Sequence, residues 1–305
     1  MEYRQLGKDG PQVSVIGLGA WPLAGGMGPV DEQNAIATIH AAIDHDITLI
    51  DTAQGYRGSE AIIGKALTPS LREKCFIASK VTGHYKPVDI RAAIENSLSA
   101  MKIDAVDLYQ IHGLNPDDPI EDSMAEMAKL QQEGKVRYIG VSNYGVEHMQ
   151  QALSVTYFSS NQPRYNMLNR QIEADVVPFC EREGIAILAH SALAKGLLGG
   201  RYTPETTFPP SDERSDKPGF QGERFQRALA GVEKLKVFAA DKGITLVHLA
   251  IAWQLRLPAI TSVLVGAKSP QQVADYVGAV GVTFSQDELA EIDAIVGDIP
   301  GMASR

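Results

Sequence analysis

The chain has 305 residues, a length that fits either two domains or one eight-fold β/α barrel with additions. Its hydrophobic content of 44% and charged content of 21% are those of an ordinary globular protein and exclude a disordered or collagen-like chain. Lysine plus arginine number 28 against 37 aspartate plus glutamate, a net charge of −9 that argues against nucleic acid or an anionic membrane as partner.

Strand-like and helix-like segments alternate almost throughout. Tyr3–Leu6 and Val13–Ile16 flank Gly10-Pro11 and read as a short hairpin. Gly17–Ala20 is the first barrel strand. Asp31–His45 reads as a helix, with Ala35, Ile36, Ile39 and Ile43 at helical spacing. Then come strand Thr48–Asp51, helix Glu60–Leu67, strand Cys75–Ser79 ending at Lys80, and helix Val88–Met101. Strand Val106–Ile111 ends at His112, and helix Ile120–Gln132 closes at Gly134. Strand Val136–Val141 ends at Ser142-Asn143, helix Val146–Leu153 follows, and strand Phe158–Asn161 ends at Gln162. Helix Glu173–Glu183 precedes strand Ile185–Ala189, which ends at His190. A Pro/Gly-rich loop spans Ser191–Gly222. Helices Phe225–Asp241 and Leu246–Leu257, strand Ile260–Val265 and helices Ser269–Val280 and Gln286–Val296 complete the chain.

About eight short strands, each followed by a helix or long loop and with no linker between halves, imply a parallel sheet with right-handed crossovers. The expected architecture is a single (β/α)8 TIM barrel over residues 1–305, with an N-terminal β-hairpin and extra C-terminal helices. A Rossmann domain would need G-x-G-x-x-G after its first strand, and Gly17-Leu-Gly19-Ala-Trp-Pro22 lacks the third glycine. No Walker A pattern occurs. The histidines lack H-E-x-x-H and the cysteines lack C-x-x-C, so no metal is expected. Cys75 and Cys180 cannot form a disulfide framework and read as buried thiols in a reducing compartment. Residues 1–11 hold no apolar core of a secretory signal, and no apolar run nears about 18 residues; the expected location is the cytosol.

Polar residues close several strands: Asp51, Lys80, His112, Ser142-Asn143, Gln162 and His190. In a barrel these positions meet at one rim, where barrel enzymes keep their active sites. Taken singly, each has a plain structural explanation. Asp51 can cap a turn, Lys80 can be a solvated loop lysine, His112 can be a hydrogen-bonded core histidine, and Tyr56 can simply pack. Together they have a chemistry. A phenol near pKa 10 is a poor acid at neutral pH; a lysine ammonium beside it lowers that value, and a carboxylate keeps the lysine charged. A histidine donates a hydrogen bond to the substrate oxygen. Such a set protonates a carbonyl oxygen as it gains charge.

Asp51-Thr-Ala-Gln-Gly-Tyr56, Ser79-Lys80, Asp107-Leu-Tyr-Gln-Ile-His112 and Gly140-Val-Ser-Asn143 resemble motifs of the aldo-keto reductases. So do Asn161-Gln162, Ser191-Ala-Leu193 and Gly266-Ala-Lys268-Ser-Pro-Gln-Gln272. The resemblance runs in order along nearly the whole chain and points to the bacterial type, related to general stress members and to potassium-channel β-subunit-like proteins. It implies reduction of an aldehyde or ketone with NADPH, or less often NADH, and a catalytic tetrad of Asp51, Tyr56, Lys80 and His112. It further implies that Ser142, Asn143 and Gln162 hold the nicotinamide amide, with Ala20 and Trp21 at its edge and Asp51 as a further cofactor contact. Ser191, Leu193 and Lys195 would follow the pyrophosphate, and Arg201 and Arg214 would fold a loop over it. Gly266, Lys268, Gln272 and Asp275 would surround the adenosine. Trp21, Tyr56 and His112 would face the substrate.

Four cations, Lys195, Arg201, Arg214 and Lys268, suit an anionic dinucleotide on an acidic protein. Two positions depart from the family pattern. His190 stands where a large aromatic ring stacks on the nicotinamide, and imidazole stacking there is expected to be weaker or pH-sensitive. Tyr276 stands where Asn contacts adenine, and it either stacks or packs. Gln272 stands where many members carry Arg, which loosens the expected NADPH preference. The Ala24–Gly28 loop, with Met27, Trp21, His84 and Tyr85, is expected to frame an apolar mouth. Two other readings are a nucleotide-sensing regulatory subunit with little turnover and a Schiff-base enzyme using Lys80. Oligomeric state is not legible in the sequence.

Overall fold

A computed structural model describes residues 1–56, 58–210 and 212–299. Residue 211 of the Ser191–Gly222 loop and the last residues of the expected 1–305 domain lie outside it. In chain order the elements are β1 (Tyr3–Gln5), β2 (Gln12–Ser14), β3 (Ile16–Gly19), α1 (Glu32–Asp44), β4 (Leu49–Asp51), α2 (Ser59–Ala66) and α3 (Pro69–Arg72). Next come β5 (Phe76–Val81), α4 (Pro87–Met101), β6 (Val106–Ile111), α5 (Ile120–Gln132), β7 (Val136–Ser142), α6 (Val146–Leu153) and β8 (Ser160–Gln162). The chain ends with α7 (Val176–Glu183), β9 (Ala186–Ala189), α8 (Gly222–Asp241), α9 (Leu246–Leu255), β10 (Ile260–Gly266), α10 (Pro270–Val277) and α11 (Gln286–Gly297).

Strands β3 to β10 close into a parallel barrel in sequence order, β10 pairing with β3. This is the (β/α)8 TIM barrel, and β1 pairs with β2 as the antiparallel hairpin beneath it. Side chains along a strand alternate between lumen and outer layer. Leu49, Phe76, Ala78, Leu108, Ala186, Leu188 and Leu264 fill the lumen, and Leu6 and Val13 of the hairpin region join the same cluster. Gly17 lies among them: a Cβ there would fall 2.6 Å from Leu264, so the lumen has no room for a side chain. The outer layer is the larger core, where apolar helix faces such as Ala35, Ile39, Ala42 and Ile43 of α1 meet the strands' other faces.

Period two places the polar residues. Asp51, Lys80, Gln110, Gln162 and His190 each sit two residues beyond a lumen-facing neighbour: Leu49, Ala78, Leu108, Ser160 and Leu188. They continue the inward face at the C-terminal end of the barrel. Lys80, Ser142 and Gln162 lie within their strands rather than just past them, because the ladder pairs Lys80 with Gln110 and Ser142 with Gln162. Other differences from the sequence reading are local. Helix α7 begins at Val176 because Asp175 accepts from the Val176 amide at 2.6 Å, and 171–173 form a separate 3-10 turn. Helix α3 has no apolar periodicity to announce it and is capped by Thr68. The long loop is partly ordered by 3-10 turns at Ala194–Gly199 and Pro218–Phe220 and by an aromatic cluster of Tyr202, Phe208, Phe220 and Phe225.

Candidate active site

A cavity of about 720 Å³ opens at the rim, within the size range of small-molecule sites. Asp51, Tyr56 and His112 line one part, with Trp21 against Tyr56; Lys268, Gln272, Asp275 and Tyr276 line another, where Met27 lies against Lys268. Between them the wall carries Ser142, Asn143, Gln162, His190, Ser191, Leu193, Lys195, Arg201, Arg214 and Gly266. Two expected site residues are not on the wall. Lys80 is wholly buried behind it, and Ala20 is buried with its amide donating to the Asp51 carbonyl at 2.8 Å. Of the expected mouth residues, Tyr85 turns into the core and its amide donates to Asp118 at 2.8 Å, while His84 sits beside that carboxylate at 3.4 Å.

The buried centre is built from strand ends. Lys80 Nζ donates to Asp51 Oδ1 at 2.6 Å, to the Thr52 carbonyl at 2.8 Å and to the Tyr56 hydroxyl at 3.4 Å. Gln162 and Gln110 donate to Asp51 Oδ2 at 2.8 and 3.4 Å. Burial alone would lower the Lys80 pKa, but Asp51 and Tyr56 outweigh it and the pKa is raised. A permanently charged, fully paired lysine is a poor Schiff-base nucleophile.

Burial also raises the Tyr56 phenol, and the opposing pull of Lys80 does not overcome it. The sequence reading expected the reverse; the error lay in weighing the ammonium without the desolvation that comes with it. His112 packs edge-on against Tyr56, ring centroids 5.5 Å apart. Burial, with Lys80 adding, pushes His112 down to about 3, so it is a neutral imidazole.

His190 departs from expectation too. Burial, then the charge of Arg164, pushes it down to about 3, so it does not titrate near neutral pH. Both its nitrogens are engaged, Nδ1 with Ser191 Oγ and Nε2 with Asn143 Oδ1, each at 2.9 Å. Asn143, Ser191, Ala194 and Lys195 are non-glycine residues held in the left-handed region, a local cost of about 1–3 kcal/mol each that the surrounding bonds sustain.

The cationic end is less free than counting charges suggests. Lys195 pairs with Glu213, which also accepts from Trp21 Nε1 at 3.2 Å. Arg214 donates to Asp212 at 2.8 Å and lies over the Phe208 ring at 4.5 Å. Lys268 Nζ donates to the Met27 carbonyl; burial and the nearby Arg214 lower its pKa. Gln272 Oε1 accepts from the Lys268 amide at 2.7 Å, and Asp275 faces His248 at 3.0 Å. The Tyr276 hydroxyl donates to the Gly266 carbonyl at 2.8 Å, so that side chain is tied down rather than swinging free.

Sequence reasoning missed Gln110, Thr82, Arg164, Tyr202, Asp212 and Glu213. Gln110 had a signal, a polar residue on the inward face of an apolar strand. The others belong to loops, where no periodicity assigns a partner.

Residues 15–297 match the model of the aldo/keto reductase family. The aldo-keto reductase YhdN of Bacillus subtilis is 36% identical, the alignment covering 97% of this chain and 94% of that one. The NADH-specific methylglyoxal reductase of Escherichia coli is 33% identical over 93% of this chain and 95% of its own. The crystal structure of an aldo-keto reductase from Klebsiella pneumoniae in complex with NADPH superposes with a TM-score of 0.78 at 30% identity, covering 97% of this chain and 96% of that one. The chain belongs to the aldo/keto reductase family. Among the described residues, no helix is long and apolar enough to cross a membrane.

Proposed function

We propose that the protein reduces a small aldehyde or ketone to the alcohol with a nicotinamide dinucleotide, Tyr56 giving the proton. One observation carries this: the buried Asp51–Lys80 pair, with Lys80 Nζ 3.4 Å from the Tyr56 hydroxyl at the end of a large cavity. The raised phenol is fully protonated at neutral pH and so holds the proton that the product needs. As the carbonyl oxygen gains charge, that proton moves to it. The charge left on Tyr56 is met by the Lys80 ammonium, which Asp51 keeps protonated. His112 supplies a second hydrogen bond to the same oxygen. The bound dinucleotide supplies the hydride.

The donor set suits such a group. Ser142, Asn143 and Gln162 present hydroxyl and amide groups to a carboxamide. Lys195, Arg201, Arg214 and Lys268 suit phosphates. Lys268 supports a 2′-phosphate and so NADPH, whereas neutral Gln272 and acidic Asp275 favour acceptance of NADH as well. A relative bound to NADPH and another named for NADH fit that breadth.

The test is a fluorescence titration with NADPH and with NADH, then a panel of small carbonyls with the tighter one. Micromolar binding and turnover are expected. Binding without turnover of any carbonyl would move the reading to a nucleotide-sensing subunit, and no binding would overturn both.

A further inference from the structure

The catalytic histidine of the proposed reaction has two ring nitrogens, and one of them already has a partner. Thr82 Oγ1 lies 2.9 Å from His112 Nδ1. We propose that Thr82 is a positioning residue for His112: its hydroxyl donates to Nδ1 and so holds the imidazole in the tautomer that carries its proton on Nε2. The inference rests on the carbonyl-reductase reading for its purpose, though not for its geometry.

The pairing follows from the fold. Strands β5 and β6 are in register with Val81 opposite Ile111, and the His112 amide donates to the Val81 carbonyl at 3.2 Å. Thr82 and His112 are thus the next residues beyond the ladder, held side by side by it. A second observation fixes the threonine. Gly55, one residue before Tyr56, packs directly onto it: a Cβ at Gly55 would fall 2.9 Å from Thr82 Cγ2 and 3.1 Å from Oγ1. The loop that presents the proton donor therefore braces the residue that orients the histidine.

Chemistry decides the direction of the bond. His112 is neutral, so one nitrogen carries a proton and the other a lone pair. A hydroxyl can serve either nitrogen state, but a carbonyl oxygen is an acceptor and becomes more so as it gains charge. An Nε2 lone pair would repel it, whereas an Nε2–H stabilises it. The productive state therefore has Nδ1 as acceptor and the Thr82 hydroxyl as donor. An unbraced imidazole would divide between the two tautomers, and the wrong one contributes nothing.

The test has a readout that needs no turnover. Long-range ¹⁵N NMR of the full-length protein would report the His112 tautomer, with His112→Gln used to assign the signal. The expected result is Nε2–H in the wild type and in Thr82→Ser, and a mixture in Thr82→Val. Gly55→Ala, which displaces Thr82 without removing its hydroxyl, should shift the tautomer in the same direction. With a carbonyl substrate, Thr82→Val should lower kcat by about 10- to 100-fold. KM and dinucleotide affinity should stay within about two-fold, and Thr82→Ser should recover most of the rate. An Nδ1–H wild type, or an unchanged tautomer in Thr82→Val, would overturn the proposal. A wild type that turns over no carbonyl would sink the reductase reading instead, leaving the tautomer result to stand on its own.

Discussion

The two ends of the cavity are built on different principles. At the catalytic end, Lys80 has no exposure and the Asp51 side chain 4%, and their partners come from strands β4, β5, β6 and β8. At the phosphate end, the cations are loop-borne; the Arg214–Asp212 pair is buried there too, with side chains 10% and 3% exposed, and only the Lys195–Glu213 pair is more open. The side chains of Lys195 and Glu213 keep 24% and 27% exposure. There the protein's own carboxylates already occupy the cations, Glu213 on Lys195 and Asp212 on Arg214. The first end has its charges committed to one another and cannot lose a member. On the proposed reading, the second would exchange one anion for another when a dinucleotide arrives. Its net electrostatic gain is therefore smaller than four positive charges would suggest.

If that contrast is right, damage at the catalytic end is large and indivisible. Tyr56→Phe keeps the ring and removes the proton, and kcat should fall by about 10²–10⁴-fold while dinucleotide affinity hardly changes. Full activity in that variant would remove Tyr56 from the mechanism. Lys80→Met leaves Asp51 buried with amide partners but no counter-charge. Removing one member of a buried pair typically costs about 3–5 kcal/mol, so a clear loss of stability in urea unfolding should accompany the loss of turnover. An unaltered midpoint would mean that the pair is not the structural unit described.

The phosphate end should respond mildly and in the opposite sense. Glu213→Gln releases Lys195 for a phosphate, and the dinucleotide Kd should tighten by about 2- to 5-fold, since a partly exposed pair in contact with solvent is worth about 1 kcal/mol. Weaker binding would show that the Glu213 bond to Trp21 is needed to shape the site, which would erase the distinction drawn between the two ends.

The same contrast explains what was legible in the sequence. The barrel could be read because strand-helix alternation and period two are written in residue types. Asp51, Lys80, His112 and Gln162 stood out as polar groups closing apolar strands. Period two assigns a residue to the lumen but not a partner across it, so Gln110 was passed over although it lies on the same face as Leu108. The loop acids were invisible for a different reason. Asp212 and Glu213 meet Arg214 and Lys195 only through the path of an irregular segment, and no spacing rule predicts that path. The direction of the Tyr56 shift was misjudged because the sequence shows neighbours but not burial.

A further expected effect concerns pH, and it separates His190 from the switch its residue type suggests. An unfolded histidine titrates near 6.5, while burial pushes folded His190 down to about 3. Between those values the unfolded chain binds the proton and the folded one does not. Stability linked to this group is therefore complete above about pH 6.5 and declines as pH falls toward 3. The neutral ring is also the one its neighbours can satisfy. Asn143 Oδ1 can accept a hydrogen bond from Nε2–H, and the Ser191 hydroxyl can donate to an unprotonated Nδ1. Removing the histidine should remove its share of the slope, so His190→Asn should lose less stability than the wild type between pH 7.5 and pH 5 in urea unfolding. Activity near neutrality should likewise show no step from this imidazole. Equal losses in the two proteins would mean that His190 protonates in the folded state as it does in water. The nicotinamide end of the cavity would then be open to solvent in the way the phosphate end is.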